Sequence, residues 1–170
     1  GSGLFRYVLE DQLLVDGFIG KTPTLTFLGR MGGVDMVGEK MATELAQKIM
    51  ERIYKKCHYS PLSLIGVTNQ QVGTLPQYIM LCEGEDNLEK EQELTNFVEG
   101  ALLGSFHYKL ARELNQLAPA RAVTMNNARE IYQEMAANRG MILGNLKVEP
   151  LTTWDTMPHQ IGEKLSGAVQ

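Results

Sequence analysis

Residues 22–40, TPTLTFLGRMGGVDMVGEK, run from an apolar strand through a glycine turn into the start of an amphipathic stretch. That order suits anion chemistry, because free backbone N–H groups at a helix N-terminus attract phosphate and carboxylate. Arg30 sets a cation beside the turn formed by Gly32 and Gly33. A phosphate-binding loop needs Gly, four residues, Gly, then Lys and Ser or Thr. Gly33 and Gly38 have that spacing, but Glu39 stands at the Lys position and no hydroxyl follows. Glu39 would repel a phosphate, and Asp35 offers its own carboxylate to the same N–H groups. The dinucleotide pattern Gly-x-Gly-x-x-Gly is absent as well. The segment reads first as a tight strand-to-helix corner, with Arg30, Gly32 and Gly33 retained as a candidate contact for a small anion.

Other reactive side chains form no local motif. Ser105 and His107, two apart on a helix, point about 200° apart around its axis and cannot form a dyad. Cys57 is followed directly by His58, and sequence neighbours rarely face one another. Pairing of Cys82 with His58 or His107 depends on tertiary placement alone. Three His and two Cys lack the spacing of a zinc site. Glu83, Glu85 and Asp86 gather acids without the calcium-loop pattern, and read as a solvated loop leading into a helix. No catalytic residue, metal or cofactor is assigned on these grounds.

Composition narrows the classes further. A net charge of −4 and a pI near 5.4 argue against a dedicated nucleic-acid binder, and the tyrosines are scattered without Lys or Arg clusters. No run reaches the ~18–20 apolar residues of a membrane span. Two cysteines and the lack of an Asn-x-Ser/Thr sequon fit a cytoplasmic protein. The opening Gly-Ser-Gly reads as a tag remnant, which leaves an upstream signal or anchor open.

The elements that must position these groups follow from periodicity. Residues 4–9 and 12–19 suggest a strand pair, and residues 24–28 alternate as a strand should. With Asp35 as N-cap, Val37, Met41, Leu45, Ile49 and Ile53 recur every four residues and predict a long first helix. Residues 62–67 and 75–82 suggest a hairpin. A second helix, residues 88–117, would run roughly 45 Å if unbroken. Leu94, Val98, Leu102, Phe106, Leu110 and Leu114 mark its buried stripe. Gly100 and Gly104 lie within it, suiting either close backbone approach or a kink. The stripe keeps its phase across both, which favours close approach. Strands over residues 120–125 and 141–148 flank a short helix whose Asn127 and Glu130 have capping-box spacing.

The expected object is one α/β or α+β domain over residues 4–170, with residues 151–170 an irregular tail. It carries a mixed sheet of about five to seven strands, packed by two long helices and one short one. Strand–helix–strand–strand–helix–strand is the element order of ferredoxin-like folds, an analogy that assigns no function. The leading functional expectation is a non-catalytic interaction, assembly or ligand-sensing module, with a protein partner or a homo-oligomer. Gly38, Ala42, Gly100 and Gly104 are its candidate helix-packing or interface positions. The alternative is an enzyme for a small-molecule or phosphate ligand using the turn between Gly29 and Gly33. In that reading Arg30 contacts an anion, and Glu83 or His107 serves as the acid–base group.

Overall fold

The computed structural model describes residues 11–30, 33–57, 59–68, 74–138 and 148–167. The chain divides into two units, Gly1–Gly33 and Val34–Gln170. In the first, β1 (Asp11–Ile19) pairs antiparallel with β2 (Thr22–Arg30). Gly20 closes their turn at φ +65°, a conformation that disfavours side chains. A bulge between Val15 and Gly17 moves Phe18, opposite Pro23, onto the face that Val15 shares with Leu25. The expected strand over residues 4–9 lies outside the described residues.

A short ladder of β3 (Gly33–Val34) and β4 (Met41–Ala42) leads into α1 (Thr43–Cys57). The hairpin of β5 (Ser60–Val67) and β6 (Gln77–Glu83) follows. After it come α2 (Leu88–Leu102), α3 (Phe106–Glu113), β7 (Arg121–Met125) and α4 (Ala128–Asn138). Residues 151–167 are not the irregular tail expected of them: they supply β8 (Leu151–Trp154), which pairs in the main sheet, and α5 (His159–Gly167). The main sheet has the order β7-β6-β5-β8. Its antiparallel centre, β5 with β6, is flanked by parallel pairs, β7 on β6 and β8 on β5. The chain is thus mixed α/β, with five helices, a four-stranded mixed sheet and two small two-stranded sheets among the described residues.

Both faces of the main sheet are covered, which is why β5 and β6 read as near-continuous apolar runs. On one face α1, α2 and α3 bring Ile49, Ile53, Leu94, Val98 and Tyr108 against Leu64, Tyr78 and Met80. On the other, α4 and α5 bring Ile131, Tyr132, Ile161 and Leu165 against Ile65, Ile79, Leu81 and Trp154.

Three further expectations need correction. The first helix begins at Thr43 rather than Asp35, so the glycine turn does not open onto a helix N-terminus. Gly38 at φ +101° and Lys40 at φ +47° break the backbone there, and Met41 is buried from a strand. Second, the 88–117 helix is broken. The N–H of Gly104 bonds to the Ala101 carbonyl and that of Ser105 to the Leu102 carbonyl, tightening the last turn of α2 before α3 restarts. The buried face changes with the break: Tyr108 and Ala111 are buried, while Phe106, Leu110 and Leu114 are exposed. Third, β2 pairs only with β1 among the described residues, so the element order that suggested a ferredoxin-like sheet does not place a strand ahead of α1 in the main sheet. The strand expected over residues 141–148 falls almost wholly outside the described residues.

Candidate functional site

The loop after the glycine turn satisfies itself. Asp35 Oδ1 accepts the Gly38 N–H at 2.6 Å. Glu39, fully buried, accepts the N–H groups of Met36 at 2.9 Å and Val37 at 2.8 Å, and the Tyr78 hydroxyl at 2.5 Å. Burial, and then the Glu39 charge, push the Tyr78 phenol far above its ordinary range. Donors at residues 36–38 are therefore held by the chain's own carboxylates, leaving none of these three for an anion.

The candidate residues are spread across the fold. Arg30 ends β2, in register with Asp11, and Gly33 opens β3. Gly32 and His58 lie outside the described residues. Gly38 and Ala42 are exposed in the loop and in β4. Gly100 is exposed on α2, and a Cβ built there meets nothing within 4 Å. Gly104 sits in the break between α2 and α3, where a Cβ would lie 3.1 Å from the Ala101 carbonyl oxygen. Cys82 is in the core beside Tyr78 and Met80, whereas His107 is exposed.

A second location is built by topology. Parallel strands β6 and β7 are followed by helices on opposite faces of the sheet, α2 with the first core and α4 with the second. A crevice outside the carboxyl ends of two such strands is where open α/β sheets bind ligands. Glu83 ends β6 there, and the Gly84 N–H bonds to the Met125 carbonyl at the end of β7 at 3.3 Å. Gly84 admits no side chain, since a Cβ would lie 2.6 Å from the Tyr59 ring.

Six polar side chains from distant parts of the chain line this rim. Lys164 of α5 donates to Asp86 Oδ1 at 2.7 Å, to Glu91 Oε2 at 3.0 Å and to the Thr124 carbonyl. Its side chain is only 12% exposed, and that of Glu91 only 9%, so this ion pair is shielded from water. Glu91 also accepts the Thr124 hydroxyl at 3.3 Å. Arg129 of α4, half exposed, reaches Glu83 Oε2 at 3.4 Å. Lys164 is saturated by its acceptors and fixes the rim; Arg129 holds a long, solvent-facing contact and keeps donors for an incoming carboxylate or phosphate. No group of three metal-ligating side chains suited to an ion occurs among the described residues. Sequence reasoning named Glu83 and Asp86 but missed Glu91, Thr124, Arg129 and Lys164. The usable signal was that two successive strands each end at a helix cap.

Glu99 builds a third polar centre with a structural role. It accepts Tyr108 Oη at 2.6 Å, Arg112 Nε at 2.9 Å and the Ala120 N–H at 2.7 Å, fastening α2, α3 and the approach to β7. Burial, and then the bond to Glu99, raise the Tyr108 phenol strongly.

No family model matches the chain, and no curated protein matches it in sequence. Among solved structures it is similar to a GH3.15 acyl acid amido synthetase, with a TM-score of 0.51 and 19% identity. The likeness covers 98% of this chain and 31% of that one, so the chain spans about a third of the length of the enzyme it resembles. This likeness of fold overturns the leading expectation of a non-catalytic module and favours the enzyme alternative. The lack of a local motif does not bear on such a site, because the rim groups converge from residues as far apart as Asp86 and Lys164. Among the described residues no helix is long and apolar enough to cross a membrane.

Proposed function

We propose that this chain is a domain of an enzyme acting on a small acidic molecule, of the acyl acid amido synthetase kind. The observation that carries this reading is the fold likeness to such an enzyme across 98% of the chain. An acyl acid is a carboxylate at neutral pH, and its natural counterpart on the rim is the guanidinium of Arg129, which can bind a carboxylate through two parallel N–H donors. Glu83 is then the group the substrate displaces. Lys164, bonded to Glu91 and Asp86, fixes the rim in place and neutralises part of its acidic charge. In the first unit, Arg30 with Gly32 and Gly33 is retained as a second anion contact, suited to a phosphate-bearing co-substrate.

A thermal-shift screen of acyl acids, nucleotides and phosphorylated metabolites tests this on wild type, Arg129→Ala and Arg30→Ala. Ligand binding to the native state raises the midpoint by mass action. The Arg129–Glu83 pair is half exposed, so its loss changes folding stability little. An acyl acid should stabilise wild type and not Arg129→Ala; a phosphorylated compound should lose its effect in Arg30→Ala. Equal shifts in all three proteins, or none with any compound, would remove the reading.

A further inference from the structure

The face of α3 turned from the core is apolar. Phe106, Leu110 and Leu114 recur every four residues and are 71%, 40% and 57% exposed, and Leu103 is exposed just before the helix break. The opposite side of the same helix carries Tyr108 and Ala111, both buried. Single exposed apolar residues are ordinary, but three in one stripe over two turns mark a contact surface. Gly100 and Gly104, exposed just ahead of it, put no side chain in the way of an approaching helix.

Charge decides what covers it. Lys109 and Glu113 border the stripe and pair with each other at 3.8 Å, both well exposed. A second α3 laid antiparallel, centred near Leu110, sets Phe106 against the partner's Leu114 and Leu110 against its own copy. The same arrangement brings Lys109 alongside the partner's Glu113 on both sides of the two-fold axis. A parallel two-fold pair would set the Lys109–Glu113 edge against the partner's opposite edge, without this match. A two-fold contact requires such self-complementarity. We infer that two copies of this chain associate through α3, antiparallel, around Leu110. The inference does not rest on the enzymatic reading.

The patch is one short helix, well below the ~800 Å² per partner of a standard interface, so association is weak, with Kd on the order of 10–100 μM. Sedimentation velocity of the full chain over a concentration series should show a reversible monomer–dimer equilibrium. Leu110→Glu should leave only monomer, with an unchanged circular dichroism melt confirming the fold. Lys109→Glu and Glu113→Lys should each weaken self-association roughly tenfold, because every cross-contact becomes like-charged. Mixing these two variants in equal amounts should restore dimers, since each then meets its complement; an effect on the helix alone would not be repaired by mixing. A strict monomer at high concentration, a dimer unaffected by Leu110→Glu, or no rescue on mixing would each overturn the inference.

Discussion

Glu39 offers the sharpest test of how the fold is held. It is fully buried and has three donors, Met36 N–H, Val37 N–H and Tyr78 Oη. Tyr78→Phe removes one hydrogen bond to a charged acceptor, which costs about 1.5–3 kcal/mol. Glu39→Gln keeps the volume, but its amide can accept only through one oxygen. With that oxygen at the Oε1 position, the Met36 and Tyr78 bonds survive in weaker neutral form. The NH2 group then faces the Val37 N–H, donor against donor. The expected cost is about 2–4 kcal/mol, one lost bond plus an unsatisfied buried donor. Because the two side chains share a bond, the double variant should fall short of the sum by about 1 kcal/mol. Urea unfolding followed by Trp154 fluorescence gives all three values, since the chain's one Trp is 2% exposed and reports on the core. Strict additivity, or a Glu39→Gln variant within 0.5 kcal/mol of wild type, would refute the clamp by this reasoning.

Other consequences are equally open to measurement. Tyr78 and Tyr108 keep their protons well above pH 10, where unfolded tyrosines lose theirs. Their contribution is therefore fully present below about pH 10 and is lost as pH rises beyond it. With both phenols intact the slope approaches 2.7 kcal/mol per pH unit, about 1.4 for each. Urea midpoints between about pH 9 and 11 should show this, with a shallower fall in Tyr78→Phe. Gly38→Ala should destabilise by about 1–2 kcal/mol, because φ +101° strains any side chain even in open space. Gly100→Ala, in a helix with nothing near its Cβ, should stabilise by up to about 1 kcal/mol in chemical denaturation. Lys164→Met strands the Glu91 carboxylate and should cost about 3–5 kcal/mol, part of it recovered in Lys164→Met/Glu91→Gln when both are compared by thermal melts.

Where the sequence was legible, one physical signal dominated. Leu62 to Val67 and Tyr78 to Cys82 are apolar on both sides because helices cover both faces of the sheet, and both strands were found. In α1, Ala46, Ile49 and Ile53 carry the expected buried face. The same four-residue spacing extended falsely back to Val37 and Met41, because periodicity cannot register the positive φ of Gly38 or the inward turn of Glu39. Phase misled again in α3. Leu110 and Leu114 continue the stripe of Leu94 and Val98 on paper, yet the break at Gly104 turns Tyr108 inward instead. The rim was least legible of all. Lys164 and Thr124 meet Glu91 only after α5 docks on the sheet, and the short amphipathic segment that becomes α5 gives no hint of its partner.

Calorimetric titration of an acyl acid into this chain, wild type against Arg129→Ala, tests the central proposal most directly. Saturable binding to wild type, weakened tenfold or more in Arg129→Ala and tightened at low ionic strength, is the predicted result, as expected for a carboxylate held by a half-exposed guanidinium. Binding of equal affinity in both proteins, or no binding to either, would contradict it.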